Sequence, residues 1–123
     1  MTGKKEKLIY LCTHGTEDAE KATLPFAMAL GAQATDLDVT VVLQAGAVLL
    51  AVKGEAEHVI ARVMASLKEQ VDEYLGNGGR IAACSACLTA RKIGREDLLP
   101  DVEVVSVSWL NGEFSWATNV VCY

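Results

Sequence analysis

Two cysteines three residues apart, Cys84 and Cys87, are the residues whose type and spacing most clearly suggest chemistry. They lie in the segment RIAACSACLTARKIG, where a short apolar run leads directly into a polar, basic stretch. Cys84 falls at the junction of a predicted strand and a predicted helix, where backbone N–H groups and the helix dipole favour the thiolate. Cys87 follows one helical turn later, so the two sulfurs share a face and lie within reach of a disulfide or a common ligand.

The residues alone leave four roles open for this pair: metal binding, disulfide exchange, sulfur transfer and packing in the core. Structural zinc needs four ligands, usually as two close pairs. The chain has no second CxxC, and the candidate partners are Cys12 and His14, at the end of another predicted strand. A thioredoxin-like motif normally faces a cis-proline, whereas Pro25 and Pro100 lie in predicted helix or loop. We therefore expect no metal site and consider thioredoxin-like exchange the weaker alternative.

Four further residues are candidates for binding at the same site. Arg91 lies one more turn along the predicted helix, where its guanidinium can hydrogen-bond an oxyanion or a persulfide. His14 follows the first predicted strand in a THG loop, as a proton donor or hydrogen-bond partner, or simply as a solvated histidine. Gln44 and Gly46 follow the second predicted strand, and a tight turn is the alternative explanation for the glycine.

The elements that must position these residues alternate between strand and helix. We predict strands at 7–13, 37–44, 80–84, 102–107 and 119–123 from their apolar, β-branched composition. Helices are predicted at 16–31, with Thr16 as N-cap and Gly31 as the end, and at 55–64, 67–75, 85–92 and 108–116. Residues 45–54 are predicted as a loop with a short helical turn, and Ser66 and Glu69 form a capping box.

This alternation predicts one α/β domain over residues 1–123, a three-layer α/β/α sandwich with a five-stranded, largely parallel sheet. Sheets of this kind place their chemistry beyond the carboxyl ends of the strands. All the candidate residues near a predicted strand end therefore belong to one edge of the sheet.

Composition excludes several classes of function. The formal net charge of the 123 residues is −5, which disfavours binding to nucleic acid or to anionic membranes. The longest apolar run, residues 45–52, is far shorter than the roughly 20 residues of a membrane-spanning helix. Residues 8–12 are too few for the apolar region of a signal peptide, so we expect a cytoplasmic protein.

The segments THGTEDAEKATLPFAMAL, VVLQAGAVLLAVKGEAE and LKEQVDEYLGNGGRIAACSACLTARKIGREDLL, in this order, resemble the DsrE/DsrF-like family of small sulfur-relay and related uncharacterised proteins. The resemblance covers nearly the whole chain. Its specific element is a cysteine ending the third strand, often followed by a second cysteine, an arginine and a glycine. Cys84, Cys87 and Arg91 match this element, and Lys92 stands in place of the glycine.

The resemblance implies a five-stranded α/β/α sandwich that assembles as a homotrimer or homohexamer. It also implies that the cysteine matching Cys84 accepts sulfane sulfur as a persulfide and passes it on. We expect a donor protein or a small polysulfide to supply the sulfur, an acceptor protein to receive it, and Cys87 to resolve or release it. The alternatives are a non-catalytic oligomeric module that binds a small ligand and a CxxC thiol–disulfide redox protein. No cofactor motif is present, so we expect no cofactor.

Apolar residues outside the predicted site complete these expectations. Cys12 and Cys122 end apolar strands and are predicted to lie in the core. The aromatic residues Trp109, Phe114 and Trp116 are expected in the core or in a subunit interface. The aliphatic residues 45–52 are expected to add to an interface near the strand ends.

Overall fold

The structure, a computed structural model, describes residues 6–62 and 64–123. Its strands are β1 Lys7–Cys12, β2 Asp38–Leu43, β3 Arg80–Cys84, β4 Val102–Val105 and β5 Asn119–Cys122. Its α-helices are α1 Ala19–Ala34, α2 Leu67–Gly76, α3 Ser85–Ala90 and α4 Val107–Trp116. Short 3-10 helices occupy Ala45–Ala51, Ala56–His58 and Arg95–Asp97.

The five strands form one parallel sheet in the order β4-β3-β2-β1-β5. The chain moves outward in one direction from β1 to β4 and then returns across the sheet to β5. Because crossovers between parallel strands are right-handed, this reversal places the last helix on the opposite face from the first two. The predicted α/β class with a five-stranded parallel sheet is confirmed.

Two apolar clusters lie on opposite faces of the sheet. On the first face, Phe26 of α1 and Tyr74 of α2 pack with Val41 and Ile81, and we call this the α1 face. On the second, Leu110 of α4 packs with Ile9, Val42, Ala82, Cys84 and Val105, and we call this the α4 face. The aromatic side chains of Trp109 and Phe114 cover part of this cluster. The side chain of Cys84 therefore lies on the α4 face, at the carboxyl end of β3.

The helix predicted at 55–64 is wrong for the described part of that range. Only Ala56–His58 is helical, as a single 3-10 turn. Val59 and Ala61 are buried while Ile60 is 68% exposed, which is an alternating pattern and not a helical one. The amide of Leu67 donates to the carbonyl oxygen of Val59. In a continuous helix this oxygen would instead accept a hydrogen bond from the amide four residues later. Val63, part of the predicted apolar face, lies outside the described residues.

The first helix begins and ends later than predicted. Asp18, not Thr16, is its N-cap, because the Asp18 carboxylate accepts a hydrogen bond from the Lys21 amide at 3.1 Å. The helix continues past Gly31 to Ala34 and also through Pro25. Proline lacks the amide that would bond the Lys21 carbonyl oxygen. The Cys12 sulfur lies 4.0 Å from that oxygen.

Several expectations about apolar residues are also corrected. Cys122 is exposed on β5 and is not a core residue, and Trp116 is 78% exposed, which leaves a subunit interface as its predicted environment. The segment 45–52, expected to add interface surface, instead buries Ala47, Val48, Leu50 and Ala51 in the chain's own core. None of the helices in the described residues combines the length and apolarity that crossing a bilayer requires.

Candidate functional site

The candidate site lies where three adjacent strands end side by side. Cys12 of β1 is in register with Leu43 of β2, and Leu43 is in register with Ala83 of β3. The residues that follow these strands therefore emerge next to one another. The sheet order brings Gln44, after β2, beside Cys84, at the end of β3.

The Cys84 sulfur is surrounded by hydrogen-bond donors. Burial raises the pKa of its thiol, but the N–H groups of Cys87 and Ala86, the Cys87 thiol and the Gln44 side chain all donate to the sulfur. The donors outweigh burial, and the net shift in the pKa of Cys84 is downward. Cys84 is 2% exposed, so a thiolate formed there would be held within the protein and not in bulk water.

Cys87 is half-buried and lies between Cys84 and the loop after β2. The amide of Ala45 donates to the Cys87 sulfur across 3.3 Å. Ala45 has a φ of 52°, in the left-handed region that residues with a Cβ rarely adopt. This backbone conformation turns the Ala45 amide toward the cysteine. Sequence reasoning missed Ala45, since an alanine gives no signal for a left-handed conformation.

The loop after β2 also contacts the loop after β1, through Gly46 and residues 15–17. The amide of Gly15 donates to the Glu17 carboxylate at 2.7 Å. A Cβ on Gly15 would lie 2.3 Å from the carbonyl oxygen of Gly46, and one on Gly46 would lie 3.2 Å from Glu17 Oε1. Glycine is therefore required at position 15 by its close approach to Gly46, and the left-handed residue of the turn is Ala45. Glu17 gave no signal in the sequence that linked it to the cysteines.

The other two candidate binding residues make local contacts. The imidazole Nδ1 of His14 lies 3.3 Å from the hydroxyl of Thr13, which in turn donates to the carbonyl oxygen of Tyr123. Arg91 is exposed and donates through Nη1 to the Cys87 carbonyl oxygen at 3.3 Å. The structure thus brings Cys84, Cys87 and Gln44 into direct contact and leaves His14 and Arg91 at the margin.

The remaining cysteines lie in two different environments. Cys12 is fully buried, its thiol lies 3.4 Å from the carbonyl oxygen of His14, and burial raises its pKa to about 12. Cys122 is exposed. Within residues 6–62 and 64–123, no cluster of three or more His, Cys, Asp or Glu side chains is placed to hold a metal ion.

Comparison with known proteins gives one family. The model of the DsrE/DsrF-like family matches residues 6–123. An uncharacterised protein of Methanocaldococcus jannaschii is 32% identical over 101 residues, which are 82% of this chain and 37% of that protein. The chain thus spans little more than a third of the length of this relative.

Solved structures share the fold. The ychN protein from E. coli superposes with a TM-score of 0.81 at 16% identity, over 96% of this chain and 99% of the other. A protein of unknown function from Methanobacterium thermoautotrophicum gives a TM-score of 0.74 at 20% identity, over 97% of this chain and 100% of the other. At these identities the likeness concerns the fold alone.

Proposed function

Because the chain belongs to the DsrE/DsrF-like family, we propose that it is a sulfur carrier that accepts sulfane sulfur as a persulfide on Cys84 and passes it on. The observation that supports this proposal most directly is the position of Cys84 at the carboxyl end of β3, beside the end of β2 and one turn before Cys87, where neighbouring donors lower its pKa despite burial. A thiolate is the nucleophile in sulfur transfer, and a cysteine that only packs in a core has no use for such donors. This also favours a carrier over a non-catalytic binding module.

The proposed loading step conserves atoms and electrons. The Cys84 thiolate attacks a sulfane sulfur of a polysulfide or of a donor persulfide, and a new S–S bond forms as the donor's S–S bond breaks. The donor leaves as a polysulfide one sulfur shorter, or as a thiolate. The Gln44 amide and the backbone N–H groups then face the Cys84 persulfide, whose outer sulfur carries the negative charge.

Two discharge steps fit the site. An acceptor thiolate can attack the outer sulfur, which restores Cys84 as a thiolate and leaves the persulfide on the acceptor. Alternatively, the Cys87 thiolate attacks the inner sulfur, which forms a Cys84–Cys87 disulfide and expels hydrosulfide. A dithiol reductant must then reduce the disulfide. The donors and acceptors that this role needs are small polysulfides or partner proteins, and the 2% exposure of Cys84 favours small donors.

A thiol–disulfide redox protein is the second candidate function. The observation that favours it is that Cys84 is the N-cap of α3 and Cys87 lies in its first turn, so two free cysteines are close enough for Cys87 to lower the pKa of Cys84. The low pKa of Cys84 would make it the attacking thiol in disulfide exchange as well. The two functions differ in whether Cys84 carries an extra sulfur atom.

Intact mass spectrometry after incubation with polysulfide tests the proposal. Because exposed Cys122 is accessible to polysulfide without activation, the experiment uses Cys122→Ser as the parent protein. We expect the parent to gain the mass of one sulfur atom, Cys84→Ser to gain none, and Cys87→Ser to keep the adduct longer because it cannot expel hydrosulfide.

Two outcomes contradict the carrier. An adduct that persists in folded Cys84→Ser would assign the sulfur to another residue. A parent that loses two hydrogen masses and never gains sulfur, with the loss abolished in Cys87→Ser, would favour the redox protein. Circular dichroism of each variant checks that the fold is intact.

A further inference from the structure

Residues 44–46, which contact the cysteines, pack on their other side against residues 15–17, which the proposed chemistry does not use. Residues 44–46 follow β2, and they contact the cysteines on one side through the Gln44 side chain and the Ala45 amide. On the other side they meet residues 15–17, which follow β1. The two loops are neighbours because β1 and β2 are adjacent in the sheet.

The contact between these loops is too close for side chains. A Cβ on Gly15 would lie 2.3 Å from the Gly46 carbonyl oxygen and 3.0 Å from its carbonyl carbon, and both are backbone atoms that cannot rotate away. No positive φ accounts for either glycine, since the positive-φ glycines of the described residues are Gly54 and Gly78. Close packing against the Gly46 backbone is therefore the reason that position 15 is glycine, whereas a Cβ on Gly46 would meet the Glu17 carboxylate at 3.2 Å and backbone only at 3.7 Å.

The Glu17 carboxylate lies at this contact. Its Oε1 accepts the Gly15 amide at 2.7 Å and would lie 3.2 Å from a Cβ on Gly46. One carboxylate thus lies against both loops. Between this contact and the cysteines, Ala45 is held at a φ of 52°. A strained conformation persists only where the surroundings enforce it. The packing on both sides of Ala45 holds it in this conformation.

We propose that Gly15 and Glu17 are positioning residues, which press on Gly46 and so hold Gln44 and Ala45 against the sulfurs of Cys84 and Cys87. Neither residue touches a sulfur itself. The inference builds on the proposed role of Cys84 as a thiolate. The test measures the ionisation of Cys84 and not sulfur transfer, so either proposal can be contradicted without the other.

The charged and titratable groups on the segments that meet at the cysteines define the signs expected in the test. They are His14 and Glu17 after β1 and Cys87 and Arg91 on or after α3. Removing the negative charge of Glu17 would by itself favour the Cys84 thiolate. Loosening the loop removes donors from the sulfur and disfavours the thiolate. The two effects of a Glu17 substitution therefore have opposite signs.

The experiment is a pH titration of the thiolate ultraviolet absorbance in the full chain, with Cys122→Ser as the parent and Cys84→Ser to assign the signal. We expect Gly15→Ala and Glu17→Ala to shift the titration of Cys84 upward, with about tenfold less thiolate at a fixed pH below the midpoint, as for the loss of one hydrogen bond to a charged group. Gln44→Leu, which removes the donor directly, should shift it in the same direction.

Two control variants separate positioning from other effects. Glu17→Gln keeps an oxygen that accepts the Gly15 amide, so its titration should not move upward. Gly31→Ala adds a Cβ that meets nothing within 4 Å, and it should titrate like the parent. If Gly15→Ala does not fold, the titration of Cys84 in Glu17→Ala is sufficient to test the proposal. A folded Glu17→Ala protein that titrates like Glu17→Gln would overturn the proposal, because the two variants lose the same charge and differ in the acceptor for the Gly15 amide.

Discussion

The four cysteines of this chain differ in chemistry because their surroundings differ. Cys84 is buried but faces four donors, so its pKa falls. Cys12 is buried among apolar side chains with Glu17 nearby, so its pKa rises. Cys122 is exposed at the sheet edge and Cys87 is half-buried. The reactivity of each thiol therefore follows from its donors and its solvent access, and not from its residue type.

At the residue scale, the raised pKa of Cys12 predicts an alkaline loss of stability. The folded state keeps the Cys12 proton up to about pH 12, whereas the unfolded chain releases it near the ordinary thiol value of 9.0. The free energy of unfolding should therefore fall as the pH rises between these values, by up to about 1.4 kcal/mol per pH unit. Urea unfolding at several pH values should show a shallower fall in Cys12→Ala.

Cys122→Ala is the matched control for this experiment, because Cys122 is exposed. Its pH profile should follow that of the parent. The pKa values of Tyr10 and Tyr74 are also raised by burial, and both tyrosines contribute equally to every protein in the comparison. An unchanged slope in Cys12→Ala would show that the thiol does not contribute to the alkaline profile.

At the scale of elements, the end of α3 shows how a helix stops without the expected glycine. The amide of Ile93 donates to the carbonyl oxygen of Leu88 and that of Lys92 to Thr89, both at 3.0 Å, which is the Schellman pattern of helix termination. Lys92 takes the left-handed position of this motif with a φ of 57°. Glycine is the usual residue there, and the family resemblance led us to expect it.

Lys92→Gly is therefore predicted to stabilise the protein. Glycine has no Cβ to clash in the left-handed conformation, and we expect a gain of about 1 kcal/mol in the free energy of unfolding. Lys92→Ala is the matched control, since it removes the same charge but keeps the Cβ, and it should give no such gain. Chemical unfolding measures both. Equal stability of the two variants would contradict the explanation.

At the scale of the whole molecule, three of the exposed apolar residues lie on or shortly before the edge strand β5. Trp116 is 78% exposed, and Val120 and Val121 on β5 are 42% and 39% exposed. β5 pairs with β1 on one side and with no strand of the described residues on the other. Open edges and clustered apolar surface are common at subunit interfaces. The expected homotrimer or homohexamer therefore has a candidate surface here, and not in residues 45–52.

We predict that light scattering gives a mass of three or six times 13.1 kDa. The double variant Trp116→Ser and Val120→Thr should shift the mass toward the monomer. Ile60→Thr, which removes an apolar side chain that is 68% exposed elsewhere, should leave the mass unchanged. A parent of monomer mass at micromolar concentration would rule out the assembly, and an oligomeric double variant would place its interface elsewhere.

Much of this protein was determined by local sequence. Alternating apolar strands and helical patterns specify an α/β chain with parallel strands, because each pattern reflects a period of the backbone itself. The position of Cys84 at the end of β3 and the Ser66 cap of α2 are likewise local, and the structure has both. The helix predicted at 55–64 failed because a tertiary hydrogen bond to Val59 competed with helix formation.

Only the tertiary structure decided what surrounds the cysteines. The strand order places β2 between β1 and β3, and this order brings Gln44 to Cys84 and the loop of Gly15 to Gly46. The left-handed Ala45 and the distant Glu17 follow from that packing. Residue types near Cys84 in sequence carry no information about these contacts, because the contacts form between segments 30 or more residues apart along the chain. The CxxC was therefore visible in the sequence, whereas the donors that lower the pKa of Cys84 depend partly on the fold.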